Sequence, residues 1–173
     1  MSKRIISPYA PALLSALQCQ GNTNNCGPFT TATVLNGLHK KSLNGAVLAD
    51  EMNRVRWDGV VPVVRRVPNS ATFPWGMVDI FRRYNMDATW SLFTRVDDLI
   101  KLLEHGDILM PMIGQWRPPT GHVMTLIAWD DEVGFGFANT QYESKEIYWL
   151  KSEEFIKKWK NMGNLLVRIR QVR

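Results

Sequence analysis

The hydrophobic rhythm of this chain changes once, near Gly106. Before that point apolar residues recur every three or four positions, the spacing of a helix with one buried face. Phe29, Ala32, Leu35 and Leu38 form such a stripe with a polar far side. They predict a helix starting just after Cys26, with Pro28 in its first turn, where a missing N–H costs nothing. Val47, Leu48, Met52 and Val55 predict a second helix over 46–57, and Met77, Ile80, Phe81 and Tyr84 a third over 74–84. A fourth is predicted over 95–104, with Thr94 as N-cap, Asp97 three residues on, and Gly106 as its stop. Beyond Gly106 the apolar runs shorten. Residues 108–114, 123–129, 134–138, 146–150 and 165–172 read as strands, with Asp130-Asp131-Glu132 as a hairpin turn. Ser152 is expected to cap a short helix over 153–160, with Glu153 and Glu154 at its positive end. At the N-terminus, Pro8 and Pro11 predict an extended arm. Helices first and strands later predict an α+β domain. A parallel βαβ fold is disfavoured, because the late strands are joined by turns too short for crossovers.

Composition narrows the class. A chain of 173 residues with 45% hydrophobic and 21% charged residues is long enough to bury a core, so its two cysteines need not form a disulfide framework. The apolar runs fall short of 18 residues, so no membrane span is expected. The net charge of +5 has a location: residues 1–150 carry 14 charges of each sign, and the whole excess lies in 151–173. Those basic residues read as the outer face of one helix and the polar alternates of one strand, not as a groove for nucleic acid. Lys3 and Arg4 precede a stretch too broken by proline and tyrosine for a signal-peptide core, so a cytoplasmic location is expected. Cys19, Cys26, His39, His105 and His122 are scattered without zinc-site spacing, and no glycine-rich phosphate loop occurs, so neither metal nor cofactor is expected.

Four residues carry chemistry. Cys26 lies between a Gly/Asn-rich loop and a helix N-terminus, whose partial positive charge is expected to lower a thiol pKa. Gln20, six residues upstream, can fold back so that its amide donates to a developing oxyanion. His122 follows Pro118-Pro119-Thr120-Gly121 and is read as opening the apolar strand 123–129. Asn139 ends the next strand. If 122–129 and 134–139 pair around 130–133, His122 and Asn139 share one open end, where the amide can hold the imidazole in the tautomer that accepts a thiol proton. Singly, each has a plainer reading as a small buried thiol, a hydrogen-bonded strand histidine or a turn residue. The order Gln, Cys, His, Asn gives them joint meaning.

Gln20-x5-Cys26-Gly27-Pro28, then Gly121-His122, Asp130-Asp131 and Ala138-Asn139, resembles the papain-like cysteine peptidases, and in particular the bacteriocin-leader-processing branch and its stand-alone relatives. The tail Trp149-Leu150-x-Ser152-x-x-Phe155-x-x-x-Trp159 resembles the family's last helix and strand. The resemblance covers about residues 14–172, with 40–105 matched only in being helical. It implies one domain over 1–173, a helical half at about 14–105, an antiparallel sheet half at about 106–173, and a cleft between them. It also implies Cys26 as nucleophile, His122 as general base and then acid, Asn139 as orienter, and Gln20 with the Cys26 N–H as oxyanion hole. Members often carry Asp where Asn139 stands, followed by Asp-Pro or Pro, whereas Thr140-Gln141 follows here. Asp130 and Asp131 therefore stand as alternative third members, and Gln18 as an alternative to Gln20. The transporter segments attached to leader-processing members have no counterpart in this sequence, so a dedicated leader-processing role is not expected.

Trp116 and Gly121 are the candidate substrate-binding residues, while Trp57, Trp75 and Trp90 are assigned to the core. Cys19 is read as a buried bystander rather than a disulfide partner of Cys26. The expected activity is hydrolysis of a peptide or amide bond in a peptide or protein substrate. The alternatives are an acyltransferase of transglutaminase-like type using the same thiol, or an inactive peptide-binding module.

Overall fold

The computed structural model describes residues 2–170. The first elements are strand β1 (Arg4–Ile6), helix α1 (Ala10–Ser15), helix α2 (Cys26–His39) and helix α3 (Gly45–Met52). Two small hairpins follow, β2 (Arg56–Asp58) with β3 (Val61–Val63) and β4 (Arg66–Val67) with β5 (Ala71–Thr72). Next come helix α4 (Pro74–Arg83), strand β6 (Ala88–Ser91) and helix α5 (Val96–His105). The remainder is β7 (Ile108–Trp116), β8 (Pro119–Val123), β9 (Thr125–Asp130), β10 (Gly134–Ala138), β11 (Tyr148–Leu150), helix α6 (Ser152–Lys160) and β12 (Leu166–Ile169).

Eight strands form one antiparallel sheet in the order β11-β10-β9-β7-β12-β6, with β1 on β9 and β8 on β7. Alternation along the strands divides the core in two, because successive side chains leave opposite faces of a sheet. Ile108, Met110, Val123, Ile127, Val167 and Ile169 face α1 to α4. Leu109, Ile113, Leu126, Phe135, Phe137 and Leu166 face α5 and α6. The second face is built on aromatic contacts: Phe155 lies 4.4 Å from Phe135 and 5.4 Å from Phe137, centroid to centroid, and stacks on Trp159 at 5.5 Å. Burying each such ring contributes roughly 1.5–3 kcal/mol.

The α+β class holds, and several local expectations are corrected. The helix predicted over 46–57 ends at Met52, and Arg56–Asp58 is a strand of an exposed hairpin. The arm predicted to be extended is a strand only at Arg4–Ile6. It then turns helical, with Pro11 tolerated at the start of α1, where its missing N–H would be unsatisfied anyway. Thr94 and Ser152 do not cap their helices: Arg95 and Lys151 occupy those positions without a side-chain cap. Gly106 does end α5 in the left-handed conformation. The stripe of α2 has no polar far side facing water, since Thr30, Thr31 and Thr33 are buried as deeply as Leu35. Finally, β6 and α5 precede the division expected near 105 yet belong to the sheet and its second face. Among the described residues no helix is long and apolar enough to cross a membrane.

Candidate active site

Cys26 is the first residue of α2. The N-cap, Asn25, makes no side-chain bond to its own helix, because its Oδ1 accepts instead from Arg66 Nη2 at 2.8 Å. Arg66 is 2% exposed and also approaches the Asn24 carbonyl at 3.4 Å. The β4–β5 hairpin thus supports the start of α2. Its Thr72 presses so closely on the helix that a Cβ at Gly27 would lie 2.5 Å from the Thr72 Cβ. Only glycine fits after the thiol.

His122 lies within β8, opposite Ile113 of β7, rather than at the mouth of the following strand. The predicted strand 123–129 breaks at Met124, so β9, not the His122 strand, pairs with β10. His122 and Asn139 nevertheless meet: His122 Nε2 and Asn139 Oδ1 are 2.8 Å apart. Asn139 Oδ1 also accepts from the Gln141 N–H at 3.0 Å. A backbone N–H only donates, which fixes Oδ1 as the acceptor and puts the imidazole proton on Nε2. Nδ1 is then the basic nitrogen. One further bond aligns the layers. Thr30, one turn beyond Cys26 on α2, donates from Oγ1 to the carbonyl of Val123, next to His122, at 3.1 Å.

Cys26, His122, Asn139, Gln20 and Gly121 all line one cleft of about 520 Å³. Trp116 does not: it stands at the tip of the β7–β8 hairpin, 72% exposed, and is not part of the lining. Trp57, Trp75 and Trp90 are also exposed rather than in the core. Trp57 sits on the outer hairpin, Trp90 on the edge strand, and Trp75 stacks on Phe73 at 4.5 Å. Gln18 is spent elsewhere, donating to Leu43 O and accepting from Gly45 N. Asp130 and Asp131 serve the far end of the β9–β10 hairpin, where Asp130 accepts from the Glu132 and Val133 N–H groups and Asp131 from Ser2 and Lys3. These three alternatives fall away. Both cysteines carry free thiols, and Cys19 is exposed rather than buried.

The electrostatics also depart from expectation. Burial raises the Cys26 pKa above its ordinary value, outweighing the N–H groups of Val123, Gly27 and Cys26 and the Arg66 guanidinium, all of which favour the thiolate. Burial lowers the His122 pKa, partly offset by the bond to Asn139. Burial thus disfavours the charged form of each group. A helix N-terminus is visible in a sequence; the depth at which the fold buries it is not. Arg66 and Thr30 were likewise not singled out from the sequence, since a basic residue in a valine-rich stretch and a helical threonine carry no distinctive spacing.

A central helix headed by a thiol, packed on an antiparallel sheet that presents an imidazole–amide pair, defines a papain-like α+β architecture. Residues 14–167 match the Peptidase_C39 like family, and the chain belongs to it. That membership supports a cysteine-peptidase type of function at the level of the family. Among solved structures, a crystal structure from Bacillus anthracis described as C39-like matches with a TM-score of 0.70 and 14% identity, covering 98% of each chain, a likeness of fold. A search of curated proteins returns no match.

Proposed function

We propose that this protein is a thiol hydrolase that cleaves a peptide or amide bond through an acyl-enzyme on Cys26. The observation that carries the reading is the 2.8 Å bond from His122 Nε2 to Asn139 Oδ1, which leaves Nδ1 as the base in a cleft that Cys26 also lines. In the first step His122 Nδ1 takes the thiol proton as the sulfur attacks the carbonyl carbon. The oxyanion is held by the Cys26 N–H and by Gln20 Nε2, one of whose hydrogens is already given to Thr23 O at 2.7 Å while the other remains for the substrate. The imidazolium then protonates the departing amine. Water, deprotonated by the same nitrogen, hydrolyses the thioester. Asn139 keeps the ring in the required tautomer throughout.

A thiol pKa raised and an imidazole pKa lowered by burial suit a general-base mechanism, in which charge separates only as the oxyanion forms. The cleft wall is largely uncharged, with Lys158, held by Glu154 at 2.6 Å, as its one charged residue among the described residues. This favours a neutral polar segment at the scissile bond and leaves the +5 of the chain with little part in recognition. The test is a peptide library screened with wild type and Cys26→Ala, followed by mass spectrometry of the intact enzyme under turnover. Hydrolysis by wild type alone, with a thioester on Cys26, is the expected result. Hydrolysis surviving in Cys26→Ala would overturn the reading. Products joined to an added amine in preference to water would reassign the activity to acyl transfer.

A further inference from the structure

We infer that Thr140 is the positioning residue of the oxyanion hole, holding the Gln20 amide at its oxygen end so that its free hydrogen stays in place. The inference rests on the proposed thiol chemistry at Cys26 and goes beyond it, to the residue next to Asn139. Thr140 is fully buried. Its hydroxyl lies 2.9 Å from Gln20 Oε1, and its carbonyl accepts from the Gln20 backbone N–H at 2.8 Å. Two contacts therefore tie Gln20, at the start of the loop that leads to the nucleophile, to the residue that follows the orienting amide.

The direction of the hydroxyl bond follows from the other end of the glutamine. Thr23 O is a carbonyl and only accepts, so the atom 2.7 Å from it must be the Gln20 NH2. The remaining amide atom is the oxygen, and Thr140 must donate to it. Gln20 is thus clamped at both ends: its oxygen by Thr140, one hydrogen by Thr23. The single unclamped hydrogen is the one available to an oxyanion. Without the Thr140 hydroxyl the amide is held at one end only, by Thr23 O, and can swing about that bond, so its free hydrogen is no longer held on the oxyanion.

This arrangement couples the two halves of the machinery. Asn139 fixes the imidazole, and its neighbour fixes the oxyanion donor, so one short stretch after β10 sets both. A proline at 140 could supply neither the hydroxyl nor the same backbone freedom; a threonine supplies the hydroxyl from a fully buried position.

The test uses two generic thiol reagents. p-Nitrophenyl acetate acylates Cys26 through a tetrahedral oxyanion, whereas iodoacetamide alkylates it by direct displacement with no oxyanion. For Thr140→Val, acylation is expected to slow on the order of tenfold, less than the roughly 10²–10³-fold effect of deleting an oxyanion donor itself, while alkylation stays within about twofold, the scale of an unchanged thiol. Thr140→Ser is expected to restore acylation. In a Gln20→Ala background Thr140→Val is expected to add nothing. Should the valine variant fail to fold, Thr140→Ala is read by the same pair of reagents. Unchanged acylation, equal slowing of both reactions, or undiminished slowing in the Gln20→Ala background would each overturn the inference while leaving Cys26 as nucleophile. A Cys26 unreactive to both reagents in the wild type would overturn the thiol mechanism and this inference together.

Discussion

The two faces of the central sheet solve different problems. On the α5–α6 face, Phe135, Phe137, Phe155 and Trp159 form a closed aromatic cluster, and polar groups at its margin are paired: Trp159 Nε1 donates to Leu165 O at 2.8 Å, and Arg168 Nε to Asp107 Oδ2 at 2.6 Å. On the α1–α4 face, Oγ1 of Thr31, Thr33, Thr72 and Thr125 and Nε and Nη1 of Arg66 are buried without a hydrogen-bond partner among the described residues. An unmet buried polar group costs about 1–3 kcal/mol. One face holds the molecule together; the other holds polar groups at a cost, around the start of the helix that carries Cys26. Stability and chemistry are therefore separable by substitution.

The largest effect expected is Cys26→Ala, a loss of hydrolysis on the roughly 10⁶-fold scale seen when a nucleophile is removed, with the thermal midpoint nearly unchanged. Phe155→Ala should do the reverse. A cost of about 3–5 kcal/mol, read by denaturant unfolding, should leave kcat per folded molecule as it was; a matching fall in kcat would show that the two faces are not independent. Asn139→Ala comes next, with kcat reduced on the order of 10²-fold and a signature in the pH profile. On the proposed mechanism activity needs neutral His122, so in the wild type it should be lost as pH falls through a pKa below the ordinary 6.5. The bond to Asn139 raises that pKa, so its removal should move the acid limb to still lower pH. Arg66→Met sharpens the electrostatic side. Its guanidinium favours the thiolate, so iodoacetamide should require higher pH to alkylate Cys26, while Arg66→Lys should shift the profile less. Smallest is Thr31→Val, expected to be neutral or stabilising by up to about 1 kcal/mol, because it replaces an unmet hydroxyl with a methyl.

Much of the fold was legible because long elements carry a period. The helices at 26–39, 74–83 and 96–105 and the strands at 108–116, 125–130 and 134–138 are close to where their apolar residues predict them. The hairpins β2–β3 and β4–β5 were not legible. Strands of two or three residues are too short to show alternation, and Val55 continues a helical spacing after Asn53 has already ended the helix. Family resemblance supplied the roles proposed for Gln20, Cys26, His122 and Asn139, and the four come together in one cleft. What sequence did not convey was the sign of the thiol shift, the place of Arg66 behind Asn25, and the exposure of four tryptophans. Each depends on how deep a neighbouring element sits, a tertiary quantity with no local signature.

The division of the site between α2 and the strands β8 and β10 has a consequence for synthesis. The thiol leaves the ribosome with the first long helix, well before the histidine and asparagine that would activate it. On the proposed mechanism, until the sheet is complete Cys26 has neither a base to take its proton nor a clamped glutamine to receive an oxyanion. On that mechanism a nascent chain would be a poor catalyst towards itself and its surroundings, and reactivity would arrive only when the last part of the cleft has been made.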